Sequence, residues 1–150
     1  MTQRSGRGSI RFGRWVGAAA ATAALAACAT YWPTLSAHST RSRGDTYQCA
    51  MDQLKELGYT PRTFNADNGS IDAQRINREA SPKLPGEQQQ VDKLLVQTER
   101  AGDGASTLHV RTETVIRRFT RTGWVEDGER ASAAVQQAGH VLIDRCSAAS

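Results

Sequence analysis

Three groups of residues in this 150-residue chain are of types that do chemistry: the cysteines Cys28, Cys49 and Cys146, the histidines His109 and His140, and a set of arginines and aromatics between residues 111 and 124. A metal centre needs ligands at close spacing, yet the chain has no His-Glu-x-x-His run, no paired cysteine ligands and no acidic cluster at metal spacing. No Gly-x-Ser-x-Gly nucleophile turn occurs. Gly102 and Gly104 lack the lysine that follows in a phosphate loop and read as turn residues. His109 alternates onto the wet face of its strand and His140 lies near the polar side of the last helix, so both read as surface residues rather than bases, and no catalytic residue, metal or cofactor is expected. What remains is a binding surface: Arg111, Arg117, Arg118, Phe119, Arg121 and Trp124 combine guanidinium groups with aromatics, the composition of interface hot spots. Such guanidinium groups also suit anionic headgroups or glycan carboxylates. The same residues equally describe a solvated strand and loop with Phe119 or Trp124 tucked into a small satellite core.

The elements that must position these residues follow from periodicity. Tyr47, Ala50, Met51, Leu54 and Leu57 recur at spacings of three and four, an amphipathic helix capped by Asp45 or Thr46 and closed at Gly58. Residues 59–66, interrupted by Pro61, read as an edge strand or a late strand start. Asp67-Asn68-Gly69-Ser70 then predicts a tight two-residue turn into a second strand over 71–78. A polar loop over 79–90 leads to a second hairpin, 91–100 and 107–119, joined through the glycine-bearing segment 101–106. In its second member Leu108, Val110, Thr112, Thr114 and Ile116 alternate with His109, Arg111, Glu113, Val115 and Arg117, so one face meets a core and the other meets water. Residues 118–129 read as a connection that ends in acidic residues. From about Arg130 the stripe Ala131, Ala134, Val135, Ala138, Leu142 and Cys146 predicts a final helix. The expected fold class is α+β: a four-stranded antiparallel sheet of two hairpins, with an N-terminal and a C-terminal helix on one face.

The first 27 residues have the layout of an export signal. Arg4, Arg7, Arg11 and Arg14 precede an apolar run from Trp15 to Ala27 that holds no acidic residue, and small residues close it. That run is shorter than the roughly 20 residues a spanning helix needs. The signal ends in Leu25-Ala26-Ala27-Cys28 and so resembles those of the bacterial lipoproteins, which end in a leucine, two small residues and an invariant cysteine. The resemblance implies a diacylglycerol on the Cys28 sulfur, cleavage before Cys28 and possible acylation of the new amine. Ala26 and Ala27 also suit an ordinary secretory cleavage site. By the same resemblance Ala29, where enterobacterial lipoproteins kept in the inner membrane carry an aspartate, points to the outer membrane or cell surface. The run Cys49 to Ala73 is faintly similar to small envelope lipoprotein domains, such as the accessory lipoproteins of the outer-membrane barrel-assembly machine.

With the signal removed the charge balance changes. Four of the 19 Lys and Arg residues lie in it and none of the 15 Asp and Glu, which leaves 15 of each sign. The formal charge of +4 therefore belongs to the signal, and nucleic acid is excluded as a partner on this ground. With Cys28 taken by lipid, Cys49 and Cys146 are an even pair in a compartment that permits disulfides. A bond between them is expected, the alternatives being a metal pair and two buried free thiols. The domain plan is a signal over 1–27, a lipid anchor and flexible tether over 28–44, and one domain over 45–150. Tyr31 and Trp32 suit the membrane interface, and a tether of 16 residues holds the domain clear of the headgroups. The expected function is a membrane-anchored envelope lipoprotein whose domain binds a protein or an anionic envelope component without catalysis. The alternatives are a tethered hydrolase or transferase using His109, and a purely structural spacer.

Overall fold

The computed structural model describes residues 33–84 and 86–147. Along them run β1 (Thr34–Ser39), α1 (Arg43–Glu56), β2 (Thr60–Asn65), β3 (Ser70–Ile76), β4 (Gln89–Arg100), β5 (Ser106–Thr120), β6 (Gly123–Glu129) and α2 (Ala133–Ser147). The class is α+β with an antiparallel sheet, as expected, but the sheet has six strands rather than four. Its order is β2, β3, β4, β5, β1, and β6 also pairs with β5. The long strand β5 is the spine. β4 follows it from Arg117 to Ser106, while on its other edge β1 takes Ser106 to Arg111 and β6 takes Thr114 to Thr120.

The two additional strands correct the domain plan. Residues 34–44, expected as tether, hold β1, a short connection over 40–42 and the start of α1. Leu35 and Ala37 turn towards the core while Thr34, Ser36 and His38 are exposed, a two-residue period too weak and too short to stand out from its polar surroundings. Residues 123–129, expected as a connection, are β6, and its acidic residues are cross-strand partners of basic ones on β5. The helix cap also moves. Ser42, with extended backbone, precedes α1 and accepts from the Asp45 backbone N–H at 3.2 Å, and its hydroxyl donates to the Asp45 carboxylate at 2.7 Å. The first hairpin turn is four residues, not two: Asn65 pairs with Ser70, and only Gly69 takes positive φ, at 75°. The Asn65 side chain accepts from the Asp67 and Asn68 N–H groups and fixes that longer turn. A Cβ on Gly69 would stand 2.4 Å from the Thr98 carbonyl oxygen, so glycine is required there twice over.

One core cluster joins Ala50, Met51 and Leu54 of α1 and Val135, Ala138 and Leu142 of α2 to Ile71, Ala73, Leu94, Val96, Leu108 and Val110 of the strands. Complete burial of each leucine among these stabilises the fold by roughly 1.5 to 3 kcal/mol. α2 lies close to the sheet at Gly139, where an added Cβ would meet the Thr112 methyl at 2.8 Å. Two buried polar groups position the helices. At one end Asp92, wholly buried, accepts from the hydroxyls of Thr114 and Ser132, each at 2.8 Å. Ser132 in turn accepts from the Val135 N–H at 3.1 Å and caps α2. At the other end the hydroxyls of Ser39, Thr46 and Ser106 bond to one another and to the carbonyls of Cys146 and Arg41, tying β1, α1, β5 and the end of α2 together. The expected disulfide is present: Cys49 and Cys146 are bonded, with an S–S distance of 2.08 Å and their Cα atoms 5.7 Å apart, and join α1 to α2.

Candidate functional site

The sequence sets the geometry of the β5–β6 hairpin by where β4 stops. β4 begins at Gln89, opposite Arg117, so residues 118–120 of β5 and 123–125 of β6 pair only with each other and project past the sheet. Arg121 and Thr122 make the turn, and Gly123 follows with a φ of 117°. Phe119 and Trp124 are directly opposed in register and therefore share a face. Their rings meet edge to face with centroids 5.3 Å apart. They are 62% and 53% exposed, so neither is tucked into a satellite core.

The expected arginines divide into different roles. Arg117 is mostly covered: it donates from Nη2 to Glu126 at 2.6 Å and to Gln74 at 3.1 Å, and its guanidinium lies over the Trp124 ring at 5.9 Å. Lys93 also bonds the Glu126 carboxylate. Burial alone would raise the Glu126 carboxyl, but the hydrogen bonds and charges of Lys93 and Arg117 outweigh it and hold it below its ordinary value. This Gln74, Lys93, Arg117, Glu126 cluster braces the base of the hairpin. Arg118 leaves from the other face of β5 and pairs with Asp127 at 3.1 Å. Arg121 is exposed at the turn. Arg111 is apart from these, six strand positions back, and pairs with Glu113 at 2.6 Å. The six expected residues therefore do not form one patch. Arg118, Phe119, Arg121 and Trp124 make the projecting tip, Arg117 supports it, and Arg111 belongs to a separate polar stretch of the sheet. Lys93, Gln74 and Glu126 escaped the sequence reading. Glu126 was within its reach, because a turn centred on Arg121 and Thr122 places residue 126 opposite residue 117 by counting alone.

His109 has neighbours that the sequence did not reveal. Its Nδ1 is 2.7 Å from the Ser36 hydroxyl across the β1–β5 pair, and its Nε2 is 3.8 Å from the Glu99 carboxylate. A shallow basin of about 410 Å³ adjoins it, bordered by Arg111, Asp72 and Gln97 among others. His140 is exposed on α2. A second cleft of about 600 Å³ lies at the end of β3, with Arg62, Arg75 and Arg78 on its walls. Arg75 is not free there, since it covers the Tyr59 ring at 4.7 Å, donates to the Leu57 carbonyl and approaches Asp92 at 3.9 Å. Among the described residues no three His, Cys, Asp or Glu side chains gather as a metal site, and no helix is long and apolar enough to cross a membrane. The lipid attachment expected at Cys28, the signal before it and the interfacial Tyr31 and Trp32 lie outside the described residues. No known protein-family model matches the chain, and no curated protein matches it.

Proposed function

We propose that this chain is an envelope lipoprotein, anchored through lipid on Cys28 in the outer membrane or at the cell surface, whose domain binds a protein or an anionic envelope component without catalysis. The observation that carries the binding role is the projecting hairpin tip, where Phe119 and Trp124 are more than half exposed beside Arg118 and Arg121. Large aromatics held rigidly by an edge-to-face contact supply area at little entropic cost, and arginines supply charge complementarity. The bonded Cys49–Cys146 pair supports an oxidising compartment, and the leucine, two alanines and cysteine at 25–28 support the anchor.

The test is an intact mass of membrane-extracted protein together with in-cell crosslinking. Acyl chains are expected on Cys28, and Cys28→Ala is expected to release the protein from membranes. Phe119→Ala combined with Trp124→Ala is expected to remove a discrete crosslinked species that wild type gives. An unchanged crosslinking pattern would count against the tip.

The contact of Ser36 with His109, and of His109 with Glu99, favours a second reading as a tethered hydrolase. Turnover of ester or peptidoglycan substrates that disappears in His109→Ala and in Ser36→Ala would establish it. Equal inertness of all three proteins would dismiss it.

A further inference from the structure

We infer that the β5–β6 tip is a second membrane contact, with Phe119 and Trp124 seated among the headgroups of an anionic bilayer and Arg118 and Arg121 on their phosphates. The inference rests on the lipoprotein reading above, because lipid on Cys28 is what brings the tip to a bilayer.

The geometry comes from the way the chain enters the sheet. β1 is antiparallel to β5, with Thr34 opposite Arg111, and one residue earlier the Pro33 carbonyl accepts from the Thr112 N–H at 3.1 Å. Followed back towards Cys28, β1 therefore leaves the sheet pointing the way β5 points, towards the tip. Cys28 is five residue steps before Pro33, at most about 18 Å even when fully extended. Phe119 is seven steps beyond Thr112, about 23 Å along the strand. A lipidated Cys28 lies at the bilayer surface, so Thr112 stands no further from that surface than the short connection allows. The tip extends about as far, on the side of the sheet from which β1 enters.

The chemistry of the tip fits what it would meet. Tryptophan is favoured at the headgroup level. Each arginine near an anionic surface strengthens attachment by about fivefold. Lys93 and Arg117 are already compensated by Glu126 at the base, Arg118 holds only the exposed Asp127, which a phosphate would have to displace, and among the described residues Arg121 has no acidic partner. The tip also sets its own depth. Beyond Arg117, β5 has lost β4 as a neighbour, and backbone groups without partners are costly in hydrocarbon. Seating therefore stops at the headgroups.

Trp124 reports this directly. The chain holds Trp15, Trp32 and Trp124. In the full chain matured in cells, Trp32→Phe leaves Trp124 as the single tryptophan once the signal is gone. The variant is reconstituted on vesicles of phosphatidylcholine with phosphatidylglycerol, carrying bromine either high or deep in the acyl chains. Flotation with the vesicles, blue-shifted emission and quenching by the shallow bromine more than by the deep one are expected. Arg118→Gln with Arg121→Gln should lower the quenched population ratio by about 25-fold, with an unchanged circular dichroism spectrum. Protein that floats with its acyl chains confirmed by mass, yet keeps water-like unquenched emission, would overturn the tip contact and leave the lipoprotein reading intact. A crosslinked protein at position 119 with Trp124 unquenched would overturn it in favour of a protein partner. Quenching unaffected by the arginine pair would overturn the phosphate assignment. A chain that neither floats nor carries acyl mass would overturn both the contact and the reading beneath it.

Discussion

Asp92 offers the sharpest test of what positions α2. Its Oδ1 accepts from the Thr114 and Ser132 hydroxyls at 2.8 Å each, Oδ2 lies 3.5 Å from the Asn77 amide and 3.9 Å from Arg75, and the residue is wholly buried. Hydrogen bonds to a charged group contribute roughly 1.5 to 3 kcal/mol each. Asp92→Ala removes two short ones and leaves two buried hydroxyls short of an acceptor. Arg75 is partly exposed and recovers solvation, so its share is small. The expected loss is about 3 to 5 kcal/mol, a large part of the roughly 5 to 15 kcal/mol typical of a domain. Asp92→Asn should cost less, about 1 to 2 kcal/mol. Its oxygen can serve both hydroxyls, but its NH₂ group then faces two donors, Asn77 and Arg75. Urea unfolding followed by far-ultraviolet circular dichroism gives both values. Amide exchange supplies the specific readout: because Ser132 caps α2, protection of Val135 should fall before that of Thr46 at the start of α1. An Asp92→Ala protein within 1 kcal/mol of wild type, or one destabilised with Val135 protection intact, would refute the reasoning.

Other outcomes follow from the same contacts. Reduction, or Cys49→Ser with Cys146→Ser, frees a loop of 97 positions and should lower stability by roughly 4 to 5 kcal/mol on the chain-entropy model, seen as a fall in urea midpoint with added reductant. Tyr59→Phe should be neutral or slightly stabilising, within about 1 kcal/mol, because the Tyr59 hydroxyl is buried without a hydrogen-bond partner. Burial pushes the pKa of that phenol well above its ordinary value, so ultraviolet titration should leave one tyrosine un-ionised until the fold opens. Glu126 has a folded pKa below its unfolded value of 4.5. Its stabilising contribution is therefore complete above that value and is lost as the pH falls through the lower folded pKa. Unfolding midpoints of Glu126→Gln and wild type should converge in that acid range and differ at neutral pH.

How much of this was legible in the sequence depended on whether one side of an element is dry. The alternation could be read through 107–114 because Leu108, Val110, Thr112 and Thr114 are buried while Arg111 is exposed, and it breaks at the end, where Val115, expected on the wet face, is buried and Ile116, expected on the core face, is half-buried. Both helices were visible through Ala50, Leu54, Val135 and Leu142 for the same reason, and the disulfide through cysteine parity. β1 was hidden because an edge strand of six residues shows only Leu35 and Ala37 as apolar signal. β6 was hidden because glutamate and aspartate disfavour strands on their own. It forms because β5 offers a free edge and Lys93, Arg117 and Arg118 offer counterions. The arginines of the candidate site could be identified by type but not sorted by role. Whether Arg117 is braced or Arg121 is free depends on where β4 ends, which is a property of the register rather than of residue type.

The bond between Cys49 and Cys146 makes covalent continuity independent of the backbone between them. A protease cutting the exposed stretch near Arg78 and Glu79 would yield two fragments that migrate as one band until reductant is added, held meanwhile by sulfur and by the β3–β4 ladder. The nicked chain would keep both helices in one molecule, and everything downstream of the cut, including the β5–β6 tip, would stay attached to whatever holds the N-terminus. Separating the tip from the N-terminal segment would then require a cut before Cys49, or an encounter with a reducing environment.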